Sequence, residues 1–252
     1  MEPYVTLFHW DLPSELENND DFRDYAELCF EKFGDKVKFW FTLNEPTTYS
    51  VQGYEHCAFP PSEKPENHGS NRRRRSDSVD DKNNNNNNNI PKVINRYRGF
   101  RPMSSNSILR SNSNPADVYT VGRNMLLAHA AAVELYRTEF QEYQRGKIGI
   151  TLVSHWFEPL TDTVADRKAA KRARDFMFLE PVLIGQYPEN MLNYVPSENL
   201  KPFSRKESRL LKGSIDFLGL NYYTAHYAAH YPNPPDKMGY DDVQHVTLLR
   251  EF

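Results

Sequence analysis

The sequence predicts an α/β fold built on parallel strands, and two observations carry that prediction. Segments with the two-residue alternation of strands are separated by segments with helical spacing, in the order strand, helix, strand, helices, strand, helices, strand. Strands joined by helical crossovers run parallel, so the chain reads as βα units rather than hairpins. Polar side chains also collect at the C-terminal ends of the strands: His9, Asn44 with Glu45, His155 with Trp156, and Asn221 with Tyr223. In parallel α/β folds that edge is where sites are built. Four such units make either an open sheet or half of an eight-stranded barrel, and the pattern alone does not choose.

Each element has its own signature. Tyr4 to His9 is a β-branched and aromatic run that ends at Trp10-Asp11-Leu12-Pro13, a strand followed by a turn. From Asp21, Phe22, Tyr25, Ala26, Cys29, Phe30 and Phe33 recur at the spacing of one helical face, with acids at the start and Gly34 as the stop. Val37 to Leu43 alternates Val37, Phe39, Phe41 and Leu43 against Lys38, Trp40 and Thr42, which predicts a strand. It delivers Asn44-Glu45-Pro46 at its C-terminal end. A long Ala- and Leu-rich helix is predicted from about Asp117 to Tyr143, then a strand from Lys147 to Ser154 and a helix from about Thr163 to Leu179. Ser204 and Glu207 form a capping box for a short helix closed by Gly213, and Ile215 to Tyr223 is the fourth strand.

Residues 62–116 break this regularity with four arginines from Arg72 and seven asparagines from Asn83 to Asn89. Few of them are apolar, too few to offset the entropy of ordering the segment. The expected organisation is therefore a partial barrel over residues 1–61, a disordered Arg- and Asn-rich insertion over 62–116, and the partial barrel continued over 117–252. The insertion carries a net charge of +6 in a chain of −3, so the part that looks folded is acidic. That balance gives no overall pull toward nucleic acid or an anionic membrane.

Composition is globular but polar, at 38% hydrophobic, 26% charged and a mean hydropathy of −0.76. Two cysteines, Cys29 and Cys57, are too few for a disulfide framework, and a buried free thiol is the plain reading of Cys29 on its apolar face. No apolar run approaches the roughly 18 residues that span a bilayer, and no charged-then-apolar leader follows Met1. The compartment is not legible. No cofactor, metal, membrane or nucleic-acid partner is expected.

Glu45, between Asn44 and Pro46 at a strand end, is the best candidate for a general acid/base, because a partly desolvated carboxyl can hold a proton for delivery to a leaving oxygen. From spacing alone, a solvated loop glutamate or a helix cap is the commoner reading. Asn44 offers an amide for a sugar hydroxyl, and His9 with Trp10 offers a polar edge and an aromatic plate. Tyr223 could give its phenolic proton to a carboxylate or a sugar oxygen. Taken singly, His9 and Trp10 read more often as packing or surface residues, asparagine is common in turns, and Tyr223 alone is a weak signal. His226 and His230 stand four apart, as metal ligands on a helix would, but no glutamate accompanies them and Pro232, Pro234 and Pro235 follow. The four arginines lack the aromatic interleaving of a nucleic-acid surface and adjoin polyasparagine, which favours a solvated loop. There is no Gly-rich phosphate loop and no Gly-x-Ser-x-Gly elbow.

Read together, the same residues resemble glycoside hydrolase family one, most nearly its plant β-glucosidases. The matching stretches are TLFHWDLP at Thr6 to Pro13, DFRDYAELCFEKFGDKVKFWFTLNEP at Asp21 to Pro46, LLAHAAAVELYR at Leu126 to Arg137, KIGITLVSHWFEPL at Lys147 to Leu160, and DFLGLNYYTAHYA at Asp216 to Ala228. The resemblance implies a (β/α)8 TIM barrel, of which these strands match the third to sixth. It implies retention by double displacement, in which an acid/base protonates the glycosidic oxygen while a second carboxylate roughly 5–5.5 Å away attacks the anomeric carbon. By motif position it makes Glu45 the acid/base, Asn44 the partner of the sugar 2-hydroxyl and His9 a ligand of the glycone hydroxyls. Tyr223 resembles the tyrosine that bonds the nucleophile, and Asn221 a residue near the acid/base.

The departures shape the functional expectation. The family's Thr-Glu-Asn-Gly nucleophile motif has no counterpart in these 252 residues, nor do the first two strands with their glycone-binding glutamine, nor the late Trp- and Glu-containing loop. Ser14 stands where glutamine is usual, and short stretches are missing near Glu17 and Phe178. The expectation is a β-glucosidase-type fragment, inactive alone, whose partner once completed is a β-glucoside. The alternative is a non-catalytic remnant that binds sugar or a homologous partner.

Overall fold

The computed structural model describes residues 1–11, 19–56, 58–59, 100–102, 116–174, 177–232 and 239–251. Its elements, in chain order, are β1 (Tyr4–Phe8), α1 (Asn19–Phe33), β2 (Phe39–Asn44), α2 (Pro46–Tyr54), β3 (Phe100–Pro102) and α3 (Ala116–Leu135). A π-helical turn (Tyr136–Phe140) carries α3 into α4 (Gln141–Gln144). There follow β4 (Lys147–Val153), β5 (Trp156–Pro159), α5 (Val164–Arg174), α6 (Leu179–Ile184), α7 (Glu189–Tyr194), α8 (Arg205–Leu211), β6 (Phe217–Asn221), β7 (Ala225–His230), α9 (Tyr240–Val243) and β8 (Val246–Glu251).

The four strands expected from the sequence form one parallel sheet in the order β1-β2-β4-β6. One face carries the helices. Trp40, Ile148 and Ile150 are fully buried on it, beneath Ala26 and Phe30 of α1 and Leu126, Ala130 and Val133 of α3. Phe30 packs edge-on against Trp40 at 5.2 Å and at a tilt against Tyr136 at 4.8 Å. Trp40 and Thr42, which the alternation grouped with Lys38 against the apolar positions, are thus the helix-facing residues, and Phe39 and Phe41 lie on the opposite, half-covered face. The apolar stripe of α1 holds at Phe22, Ala26, Cys29 and Phe30, whereas Phe33 in the last turn is exposed. Burial raises the Cys29 thiol's pKa above its ordinary value, against a smaller opposing effect of the Tyr25 hydroxyl, as suits an inert core thiol.

The other face curls inward. Tyr4 stacks on Phe39 at 4.3 Å, and Phe217 meets Phe41 at 5.0 Å and Phe39 at 5.9 Å. Tyr4 and Phe217 belong to the two outermost strands of this sheet, yet their rings stand 6.0 Å apart. Contact between side chains of the outer strands requires a sheet bent toward a half-cylinder. Gly219 permits the bend, because a Cβ there would lie 2.6 Å from both Phe41 and Thr151. On the helix-bearing face of β6, Leu218 and Leu220 are exposed beside their buried β4 neighbours Ile150 and Leu152.

A second sheet, absent from the sequence reading, has the order β3-β8-β7-β5. Strands β4 and β6 each continue after a short break into β5 and β7, which pair in parallel, and β8 adds antiparallel to β7 and to β3. β3 lies within the stretch expected to be disordered, so three of those residues pair in a sheet; the rest of 62–115 lies outside the described residues. The second sheet also gives His226 and His230 their places. They sit on strand β7 rather than a helix, where four residues span about 13 Å, too far to share one metal ion. Among the described residues no group of three or more His, Cys, Asp or Glu is arranged to hold a metal, and no helix is long and apolar enough to cross a membrane.

Candidate active site

The polar residues at the strand ends converge on one carboxylate. Glu45 follows β2 directly and caps α2 at its N-terminus with φ 47° and ψ 58°. Pro46 disfavours a right-handed helical conformation at the residue before it, and Glu45 takes the left-handed region instead. Two backbone bonds hold it there: its N–H donates to the Thr151 carbonyl at 2.9 Å, and its own carbonyl accepts from the Tyr49 N–H at 3.1 Å. The turn aims the side chain into the mouth of the sheet, where Glu45 is only 5% exposed.

Three donors reach the carboxylate. Asn221 Nδ2 lies 2.6 Å and the Tyr223 hydroxyl 2.9 Å from Oε1, and the Thr48 hydroxyl donates to Oε2 at 3.0 Å. Asn221 Nδ2 also reaches Asn44 Oδ1 at 3.1 Å, and Asn44 Nδ2 lies 3.0 Å from His9 Nε2. Trp10 braces the same corner. Its indole N–H donates to the Asn44 carbonyl at 2.9 Å and its ring stacks on Phe59 at 5.6 Å. The hydrogen bond to Glu45, then burial and the carboxylate's charge, raise the phenolic pKa of Tyr223 above its ordinary value. Tyr223 itself is 67% exposed, so its ring faces open space while its hydroxyl is held.

All five residues singled out in the sequence therefore meet in one hydrogen-bonded cluster: Glu45, Asn44, Asn221, Tyr223 and His9. Tyr223, which the resemblance would place on a nucleophile, is bonded to Glu45. One further residue joins that the sequence reading did not select. Thr48 stands three positions after Glu45 in the first turn of α2, the reverse order of a capping box, so the local sequence carries no signal for it. His155, one of the polar residues noted at the strand ends in the sequence, follows β4 beside the cluster, with its ring 6.2 Å from that of Tyr223 and 5.2 Å edge-on from His226. Burial lowers its pKa, partly opposed by the charge of Glu45.

The strands are held in place behind this cluster by a buried relay. His129 on α3 contacts the Thr42 hydroxyl at 2.7 Å and the Ser214 hydroxyl at 3.1 Å. Thr42 is two residues before Asn44 on β2, and Ser214 precedes β6. Complete burial pushes the His129 pKa down to about 3, so the ring is neutral at ordinary pH and works as a hydrogen-bonding spacer. On the outer side, Arg123 of α3 bonds Glu207 of α8 at 2.7 Å, while Ser204 and Glu207 form the expected capping box.

A family model described as Glycosyl hydrolase family 1 matches residues 1–249. The chain is 40% identical, over its whole length, to an oleuropein beta-glucosidase of Olea europaea, of which it covers 44%. It is 44% identical over 94% of its length to a cyanogenic beta-glucosidase of Trifolium repens, of which it covers 50%. Among solved structures, a rice beta-glucosidase superposes on 98% of the chain with a TM-score of 0.76 at 33% identity, the chain covering 47% of it. A beta-glucosidase of the fungus Humicola insolens in complex with glucose superposes with a TM-score of 0.73 at 29% identity, covering 98% of this chain and 46% of that one. The chain spans about half the length of the curated relatives it matches.

Proposed function

The chain belongs to glycosyl hydrolase family 1, and from that membership we propose that it carries the acid/base half of a β-glucosidase-type retaining O-glycosyl hydrolase. The single observation that supports this reading is the position of Glu45: a buried carboxylate at the C-terminal edge of a parallel sheet, ringed by amide, hydroxyl and imidazole groups suited to a sugar. In this reading Glu45 protonates the departing glycosidic oxygen and later takes a proton from the incoming water. Asn44 and His9 bind glycone hydroxyls. Asn221, Tyr223 and Thr48 hold the carboxyl in position through its two oxygens.

Double displacement also needs a carboxylate on the opposite face of the sugar to form the glycosyl intermediate. The Thr-Glu-Asn-Gly motif that supplies it in the family is not found in residues 1–252, which favours a second reading of these residues taken alone, sugar binding without turnover. One experiment separates the two. The chain is co-expressed with the strands of a relative that lie outside the matched region, and nitrophenol release from an aryl β-glucoside is measured. Release that disappears in Glu45→Gln supports the enzyme reading. A folded complex that binds glucoside but releases nothing overturns it in favour of binding.

A further inference from the structure

Glu45, Asn221, Asn44 and His9 stand in line at the mouth of the sheet, linked at 2.6, 3.1 and 3.0 Å. The chemistry of each group fixes the direction of every link. A carboxylate oxygen only accepts, so Asn221 must turn its NH2 toward Glu45 Oε1. The second proton of that NH2 goes to Asn44 Oδ1, which leaves the Asn44 nitrogen facing His9. An amide nitrogen donates and does not accept, so His9 Nε2 must be the bare, accepting nitrogen. The proton of the neutral ring then sits on Nδ1.

We propose that Asn221 is a positioning residue that transmits the polarity of Glu45 across the mouth of the site: it orients the Asn44 amide and selects the Nδ1–H tautomer of His9. Because the Thr48 hydroxyl can rotate from donor to acceptor, Oε2 can take up and release a proton while Oε1 keeps accepting from Asn221 and Tyr223. The relay therefore keeps its direction through a cycle of proton transfer at Glu45. Resting on the glycoside reading given above, the relay also sets the polarity toward the sugar. Asn44 meets the hydroxyl as a donor, so that hydroxyl accepts from the protein and keeps its own proton for another partner.

The test is the protonated nitrogen of His9 in the full 252-residue chain, labelled with 15N and observed by imidazole nitrogen–proton correlation at mildly alkaline pH. The signal is assigned by its loss in His9→Gln. The expected result is protonation at Nδ1 in the unmodified chain, and a shift toward Nε2–H in Asn221→Leu, where the Asn44 amide is free to turn. Glu45→Gln should keep Nδ1–H, since its carbonyl oxygen can replace Oε1 while its NH2 faces Thr48. A merely structural effect of Asn221→Leu would disturb the other seven histidines as well. His9 protonated at Nε2 in the unmodified chain overturns the proposal without any variant, as does an Nδ1–H signal unmoved in folded Asn221→Leu. No sugar enters the measurement, so its failure sinks the relay alone, while a correct tautomer with no glucoside binding counts against the glycoside reading.

Discussion

Tyr223 donates its phenolic proton to Glu45 Oε1 at 2.9 Å, joining the residue two past the end of β6 to the residue one past the end of β2. The bond raises the Tyr223 pKa, with burial and the carboxylate's charge adding to it. Glu45→Gln removes that charge and weakens the acceptor, so Tyr223 should ionise at a lower pH, closer to the ordinary value near 10. Phenolate absorbance, taken as the difference between each chain and its Tyr223→Phe counterpart, measures this. An identical titration with and without the carboxylate would contradict the geometry.

Purified alone, the 252-residue chain is expected to release no nitrophenol from an aryl β-glucoside beyond its Glu45→Gln control. The acid assists departure of the leaving group, but the covalent intermediate needs a nucleophile that no family motif supplies in these residues. Turnover clearly above the control would point to a substitute nucleophile or to two chains completing one another.

His129 should make the fold acid-sensitive well above the carboxylate range. Its folded pKa is about 3, against an ordinary 6.5. Below 6.5 the unfolded chain binds a proton that the folded chain refuses, so stability is complete above that pH and is lost progressively down to about 3. The slope contributed by this one ring approaches about 1.4 kcal/mol per pH unit. His129→Gln should lower stability at neutral pH and flatten the fall between pH 6.5 and 4.5, read from urea unfolding at several pH values. A parallel fall in both chains would rule the histidine out as its source.

Glu45→Gly should be more stable than Glu45→Ala. Both remove the buried carboxylate, but only glycine occupies φ 47° without steric cost, and the left-handed region costs other residues roughly 1–2 kcal/mol. Denaturant midpoints of the two variants give the difference directly. Equal midpoints would show that the backbone at Glu45 relaxes once its side chain is gone.

Leu220 is 58% exposed on β6, an outermost strand of the parallel sheet. Apolar side chains beside an open strand edge promote association between chains. Leu220→Lys should cost less than about 0.5 kcal/mol, as is usual for exposed positions, while raising the concentration at which the chain aggregates. Light scattering against concentration checks this, and unchanged aggregation would place the sticky surface elsewhere.

The parallel sheet and the gathering of the candidate site residues at its edge were legible because they depend on local pattern. Alternation marked β1, β2, β4 and β6, and strand polarity put His9, Asn44, Glu45, Asn221 and Tyr223 at one edge. The second sheet was not legible. β5 and β7 begin within four residues of the ends of β4 and β6, so each pair reads as one run, and the turn between has no punctuation of its own. Which face of β2 the helices cover was not legible, because Trp40 and Thr42 look like the polar side of an alternating strand. Only the tertiary packing shows that helices cover the tryptophan and that His129 satisfies the threonine hydroxyl. Thr48 was missed for a similar reason, since a hydroxyl in the first turn of a helix ordinarily serves the backbone.

The contact between Tyr4 and Phe217 also bears on the order of assembly. The two rings are more than two hundred residues apart in the chain, yet they close the same aromatic floor. Contacts over such separations raise the contact order and slow the search for the native state. During synthesis β1, β2 and β4 can associate as they emerge, but the floor they share stays open until β6 arrives. Phe39, Phe41 and Tyr4 are meanwhile held without the ring that covers them. The expected outcome is that a ribosome-bound chain ending before Phe217 remains a chaperone substrate even with most of its helices in place, because the aromatic floor still lacks its last ring.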